Sequence, residues 1–139
     1  MIVVDTNVVS ELMRPSPERA VQEWVRSHEG RELCTTAITV AEILYGIERL
    51  PEGRRKEVLR SAAAEIFEAF AEQVLPFDTA AAEQYALVTQ RDGLGLPIDG
   101  FDAQIAAVCR AQRMPLATRN LADFRKTGIE VISPWQGGS

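Results

Sequence analysis

Met1-Ile2-Val3-Val4-Asp5-Thr6-Asn7 opens the chain. Ile2, Val3 and Val4 form a short β-branched apolar run, the kind that fills a strand buried on both faces. A carboxylate follows at once. In open α/β sheets ligands bind in the crevice at the carboxyl ends of the strands, so Asp5 stands where such a sheet does its chemistry.

Beyond this stretch the periodicity alternates between strand and helix. Val8 to Met13 suits a short helix that Arg14-Pro15-Ser16-Pro17 stops. Ser16 then caps a second helix, with Pro17 at its first position and Ala20, Val21, Trp24 and Val25 on one face, until Gly30. Leu33 to Ile38 reads as a strand closed by Thr39, after which Val40, Ile43, Leu44 and Ile47 recur at helical spacing. Pro51 and Gly53 break that pattern. Arg54 to Gln73 is amphipathic through Val58, Leu59, Ile66 and Phe70, and a strand follows at Val74 to Phe77. Asp78 or Thr79 caps a helix that Gly93 and Gly95 close. After Pro97, Asp99 to Gln112 carries Ile105, Ala106, Val108 and Cys109 on one helical face. Met114 to Ala117 is a fourth strand, Leu121 to Arg125 a helical turn, and Val131 to Ile132 a fifth strand. This order predicts an α/β fold, with a central parallel sheet of about five strands, helices on both faces and right-handed crossovers. The 139 residues make one domain, 1–139.

Composition narrows the class. An apolar content of 46% is ordinary for a globular protein. No run approaches the roughly 20 apolar residues that span a bilayer, so the expectation is a soluble cytoplasmic protein without membrane attachment. Cys34 and Cys109 lack metal-ligand spacing and suit buried free thiols of a reducing compartment. The net charge of −5 opposes coating of a nucleic-acid backbone by the overall field. Arg49, Arg54, Arg55, Lys56 and Arg60 nevertheless crowd into one segment, which either meets phosphate or is a solvated helix start paired with Glu52 and Glu57. The sole histidine, His28, ends a surface helix and is not aimed at Asp5.

Three further acids follow good cap residues at helix starts: Glu42 after Thr39, Asp102 after Asp99, and Asp123 after Asn120. Singly, each suits the capping-box spacing or the helix dipole, an effect below about 1 kcal/mol. Helix starts that converge on one sheet edge change the balance, because two carboxylates about 4 Å apart repel by on the order of 4 kcal/mol at an effective dielectric of 20. A divalent cation would hold them together, and hard oxygen ligands suit Mg2+ or Mn2+. Without an evident Ser, Cys or His nucleophile, such a cluster points to metal-assisted hydrolysis.

The residues also resemble a known family. Ile2-Val3-Val4-Asp5-Thr6-Asn7-Val8-Val9-Ser10-Glu11, Thr39-Val40-Ala41-Glu42-Ile43-Leu44-Tyr45-Gly46, Asp102-Ala103-Gln104-Ile105-Ala106-Ala107 and Leu116-Ala117-Thr118-Arg119-Asn120-Leu121-Ala122-Asp123-Phe124 match, in order and spacing, PIN-domain ribonuclease toxins of the VapC family, most closely its FitB-like branch. The similarity runs on through Leu75-Pro76-Phe77-Asp78 to Ser133-Pro134-Trp135. It implies a PIN-like three-layer sandwich and an endoribonuclease using Mg2+ or Mn2+ to leave a 5′-phosphate and a 3′-hydroxyl. Position by position, Asp5, Glu42 and Asp102 match family acids, with Asp5 and Asp102 as the metal ligands. Thr6, Asn7 and Thr118 match supporting polar residues. Asn120 replaces an aspartate found in some relatives, and Asp123, one helical turn on, is the candidate to supply that charge. Asp99, on the face of Asp102, either adds a carboxylate or caps.

The family also implies a VapB/FitA-like antitoxin, which lays a helix or extended segment in a groove and inserts an arginine among the acids, and a homodimer. Trp24 and Tyr45 are candidates for these interfaces, with the core as the alternative place for each. Two other functions stay open from sequence. Another metal-dependent phosphohydrolase could use the first-strand aspartate as nucleophile, although such enzymes want a second aspartate where Asn7 stands. A non-catalytic module that binds RNA or antitoxin would follow from a degenerate site at Asn120.

Overall fold

Val3 and Val4 are 0% and 1% exposed, and their side chains face opposite ways, as successive strand residues must. They belong to β1 (Ile2–Val4), the central strand of a computed structural model that describes residues 1–28, 32–70, 73–89 and 100–136. β1 pairs in parallel with β2 (Leu33–Thr36) on one edge and β4 (Leu116–Ala117) on the other. β2 in turn pairs with β3 (Val74–Leu75), and β4 with β5 (Val131–Ile132), giving the order β3-β2-β1-β4-β5. The chain therefore builds outward from β1 to one side, then returns to build the other. The switch point lies between β1 and β4, and Asp5 and Thr118 emerge there.

Val4, Leu33 and Ala117 share one buried cluster with α1 (Thr6–Leu12), α2 (Arg19–Ser27), α3 (Ala37–Glu48) and α4 (Arg54–Ala69). Val3, Cys34 and Leu116 share the other with α5 (Thr79–Thr89), α6 (Gly100–Gln112) and α7 (Leu121–Arg125). Each fully buried valine stabilises this sandwich by roughly 1.5–3 kcal/mol. The three layers expected from the alternation of strands and helices are present. No helix among the described residues is long and apolar enough to cross a membrane.

Several boundaries differ from the sequence-based expectation. α1 begins at Thr6, not Val8, with Asp5 as its N-cap. α2 begins at Arg19 rather than at Ser16-Pro17, because the Glu18 N–H donates 2.9 Å to the buried carboxylate of Glu11 and needs no serine cap. β2 ends at Thr36, whose hydroxyl accepts the Thr39 N–H at 3.1 Å. Thr36, not Thr39, is thus the cap of α3, and Glu42 lies in its second turn rather than closing a capping box. α4 stops at Ala69, short of Gln73. Pro76 and Pro115 lack the N–H a ladder needs, which trims β3 and β4 to two residues each. Leu44 and Val58 are 46% and 51% exposed instead of buried; of the two readings of Trp24, core and interface, its burial supports the core. The expected stops at Gly30, Gly93 and Gly95, and the helix start at Asp99, lie outside the described residues.

Lys56 accounts for part of the basic segment structurally. Its ammonium is buried and donates to the Glu48 carbonyl at 3.2 Å and to Glu52 Oε1 at 2.8 Å, fastening the end of α3 to α4. Gly53 turns the chain between those helices with φ 150°, a backbone state that L side chains rarely adopt.

Thr36→Val keeps the shape of the cap and removes its oxygen. The urea midpoint should fall by an amount worth about 1 kcal/mol, with an unchanged denaturant slope. No shift of the midpoint would show that the α3 start is held otherwise.

Candidate active site

Asp5 is 2% exposed and its carboxylate is met by donors from two ends of the chain. Oδ1 accepts the Thr6 N–H at 2.8 Å. Oδ2 accepts the Thr118 hydroxyl at 2.7 Å and, at 3.4 Å, the Asn7 side-chain amide. Thr118 Oγ1 itself accepts from the Asn120 N–H at 3.1 Å and from Asn7 Nδ2 at 3.3 Å. A hydroxyl has two lone pairs and one proton, so these bonds commit that proton to Asp5. Asn7 closes the circuit by accepting the Arg119 N–H on Oδ1 at 3.2 Å. Burial pushes the Asp5 carboxyl above its ordinary range, opposed by the Thr118 hydroxyl and then by the Thr6 N–H.

Thr6 joins this acid to a second one. Its hydroxyl donates to Glu42 Oε1 at 2.7 Å, since an ionised carboxylate can only accept. The contact of 3.1 Å between the Thr6 and Thr39 hydroxyls must then carry the Thr39 proton. Thr36 donates to Thr39 in turn, at 3.3 Å. Three buried or half-buried threonines therefore line up their hydroxyl dipoles toward Glu42. The sequence shows the Thr36 to Thr39 spacing but not which hydroxyl points where, and neither residue was a sequence candidate for the site.

The other expected residues are placed less uniformly. Asp102 is half-buried in the first turn of α6, which packs against α3. Asn120 contributes through its backbone and makes no side-chain cap bond to α7. Asp123 is exposed in the first turn of α7, outside the network around Asp5. Asp99 lies outside the described residues. His28 plays a structural part, with Nδ1 2.9 Å from the Trp24 carbonyl and its ring 4.5 Å from the indole. Both cysteines are buried free thiols; burial pushes Cys34 up to about 11 and Cys109 higher still.

Among the described residues, no three Asp, Glu, His or Cys side chains gather closely enough to cage an ion by themselves. The donors at hand are carboxylate, amide and hydroxyl oxygens, with no thiolate or imidazole among them. That set fits a hard cation bound by one or two carboxylates and completed by water, as magnesium or manganese is, and does not fit zinc. Beside Glu42 and Thr6 opens a groove of about 970 Å³ between α1, α3 and α4. Ile43, Ile47 and Leu59 give it an apolar floor, and Arg14, Arg54 and Arg55 stand among its lining residues.

Comparison with known proteins gives consistent matches. The family model described as PIN domain matches residues 2–130. A VapC ribonuclease, Y4jK, of Sinorhizobium fredii is 39% identical over 138 residues, covering 98% of this chain and 99% of that protein. The toxin FitB of Neisseria gonorrhoeae is 36% identical, covering 97% and 99%. The crystal structure of FitAcB from the same organism superposes with a TM-score of 0.88 at 36% identity, over 97% of this chain and 99% of that one.

A raised Asp5 carboxyl has a definite sign in stability. Its protonated form is favoured by the fold, so the stability it confers is full below the ordinary carboxylate range and is lost as pH rises through the raised value. In metal-free buffer, a carbon-13 titration of the Asp5 carboxyl should place its pKa above about 3.9, and higher again in Thr118→Val. That variant should lose about 2 kcal/mol at neutral pH, where the lost bond is to an anion, and about 1 kcal/mol in acid. A carboxyl titrating at or below the ordinary value would contradict the burial argument.

Proposed function

The chain belongs to the PIN-domain family, and on that premise we propose that it is an endoribonuclease, the toxin half of a toxin–antitoxin pair. The observation that supports this most is the Asp5 carboxylate, buried at the switch point and held by Thr118, Asn7 and Thr6 with its charge directed at one place. An acid kept out of water at such a cost serves chemistry better than capping.

We assign Asp5 and Asp102 as the residues that hold Mg2+ or Mn2+. Such a cation would polarise the scissile phosphate and lower the pKa of a water at the site. Glu42, oriented by the threonine hydroxyls, takes the proton of the attacking water on its carboxylate. As oxygen bonds to phosphorus, the bond from phosphorus to the 3′ oxygen breaks, leaving a 5′-phosphate and a 3′-hydroxyl whose proton comes from solvent. Asn7 and Thr118 keep Asp5 in place through the reaction, and Asp123 is the candidate for supplementing Asn120 at the edge of the site.

The groove beside Glu42 suits the antitoxin. An amphipathic segment could lay its apolar face on Ile43, Ile47 and Leu59 and set an arginine against Glu42, where a fixed guanidinium replaces a cation. We assign the exposed Leu44 and Tyr45 on α3 to the contact between two copies, and a cytoplasmic site of action follows from the RNA substrate.

The test is cleavage of total RNA by the purified chain, freed of partner, in magnesium, manganese or chelator. Discrete 5′-phosphorylated fragments should form with either metal and vanish with chelator. Asp5→Asn and Glu42→Gln should abolish them, and Asn7→Ala should slow cleavage by about 10–100-fold, the usual cost of losing a residue that orients a ligand. Intact RNA in every condition, from folded and partner-free protein, would sink the nuclease assignment.

A further inference from the structure

Arg119 lies between Thr118 and Asn120, yet nothing above gives its side chain a task. Its guanidinium lies over the Trp135 ring, 5.1 Å from the centroid, and remains 60% exposed. The carboxylate it faces is Glu18, whose Oε1 is 3.9 Å from Nη2. That is an ion pair without a hydrogen bond, in contrast to Arg60 and Glu48 at 2.9 Å, and an exposed pair of this kind holds weakly. The backbone of Arg119 is not loose at all. Its N–H donates to Asn7 Oδ1, and Asn7 reaches Asp5 Oδ2.

We propose that Arg119, held over the Trp135 ring, binds a backbone phosphate of the RNA beside the bond that is cut; this rests on the ribonuclease assignment above. Three observations converge on it. The site is built of acids in a chain of net charge −5, so a polyanion can approach Asp5 only where a local cation offsets that field. The indole lies under the guanidinium and favours its position there, which lowers the freedom to be lost when its fork meets a phosphate. The Asn7 bond anchors the Arg119 backbone to the network that holds Asp5, so its side chain starts from a fixed point beside the reacting centre. Glu18 occupies the position of the anion in the free protein, and phosphate displaces it.

The experiment is steady-state cleavage of a fluorescent random-sequence RNA pool, with kcat and KM measured across KCl concentration. Arg119→Gln should raise KM about tenfold, the size of one charge-assisted contact, with the effect on KM exceeding that on kcat. The salt dependence of log kcat/KM should flatten by about 0.7, as for one phosphate contact to a single strand, and Arg119→Lys should restore most of the slope. Glu18→Gln should lower KM in the wild-type background and leave it unchanged in Arg119→Gln. A variant that merely folds poorly would lose active enzyme, and so kcat, while keeping KM and slope. An unaltered slope in Arg119→Gln, or an equal effect of Glu18→Gln in both backgrounds, overturns the proposal. So would a loss of antitoxin affinity in Arg119→Gln with unchanged KM for RNA. If the wild-type chain leaves the RNA intact, it is the ribonuclease assignment itself that fails.

Discussion

Asp5 carries a carboxylate almost out of water, and the donors that make this tolerable come from places that only the finished fold brings together. Thr6 and Asn7 are its neighbours in the first turn of α1, but Thr118 directly follows β4, more than a hundred residues later. That strand must lie directly beside β1, in register, for the hydroxyl to reach Oδ2. A slip of one residue would turn Leu116 and Ala117 to the wrong faces and carry Thr118 away from the acid. The order β3-β2-β1-β4-β5 is therefore bound up with the chemistry, since no other neighbour of β1 brings Thr118 to Asp5.

Thr6 extends this constraint to a second acid. Its N–H serves Asp5 and its hydroxyl serves Glu42, so one residue sets the relation between two carboxylates that would otherwise drift apart under their own repulsion. The hydroxyls of Thr36 and Thr39 stand behind it, and they leave the Thr6 proton only one direction to take. A donor row of this kind polarises along its length and presents its last proton to Glu42. Burial pushes the Asp5 carboxyl up. Two acids joined through one residue thus sit in different surroundings, Asp5 buried among fixed donors and Glu42 at the end of a hydroxyl row beside the groove.

Much of this is legible along the chain where local pattern and global fold agree. Ile2 to Val4 reads as a buried strand and is one; Ile105, Ala106, Val108 and Cys109 mark the buried face of α6; Asp5 stands out because a charge directly follows an apolar strand. The failures share a cause. Thr36 and Thr39 are equally good caps by residue type, and only the actual course of β2 decides that Thr36 accepts and Thr39 donates. Ser16-Pro17 has the form of a helix start, but Glu11 already satisfies the Glu18 N–H from across the loop. The contact of the Arg119 guanidinium with the Trp135 ring joins the loop after β4 to the turn after β5 and leaves no trace in either segment alone. What is lost in each case is which of several possible partners the folded backbone brings within reach, whereas the acids themselves sit at strand and helix ends where spacing reveals them.

The placement of the cations completes the picture of how one acidic protein could meet both an RNA and an antitoxin. Arg14, Arg54 and Arg55 line the groove on the Glu42 side, whereas Arg119 is on the β4 side and contributes nothing to that groove. A segment filling the groove would cover Thr6 and Glu42 and leave Arg119 with Glu18 exposed as before. On the proposed mechanism, inhibition would then act at Glu42 and at the reacting phosphate, while the proposed contact of Arg119 with the RNA backbone persists. An inhibitor of this design does not have to outcompete every phosphate contact along a long polyanion. It has only to hold the one flank on which bond cleavage depends, and the apolar floor of Ile43, Ile47 and Leu59 offers it a source of affinity that salt does not screen.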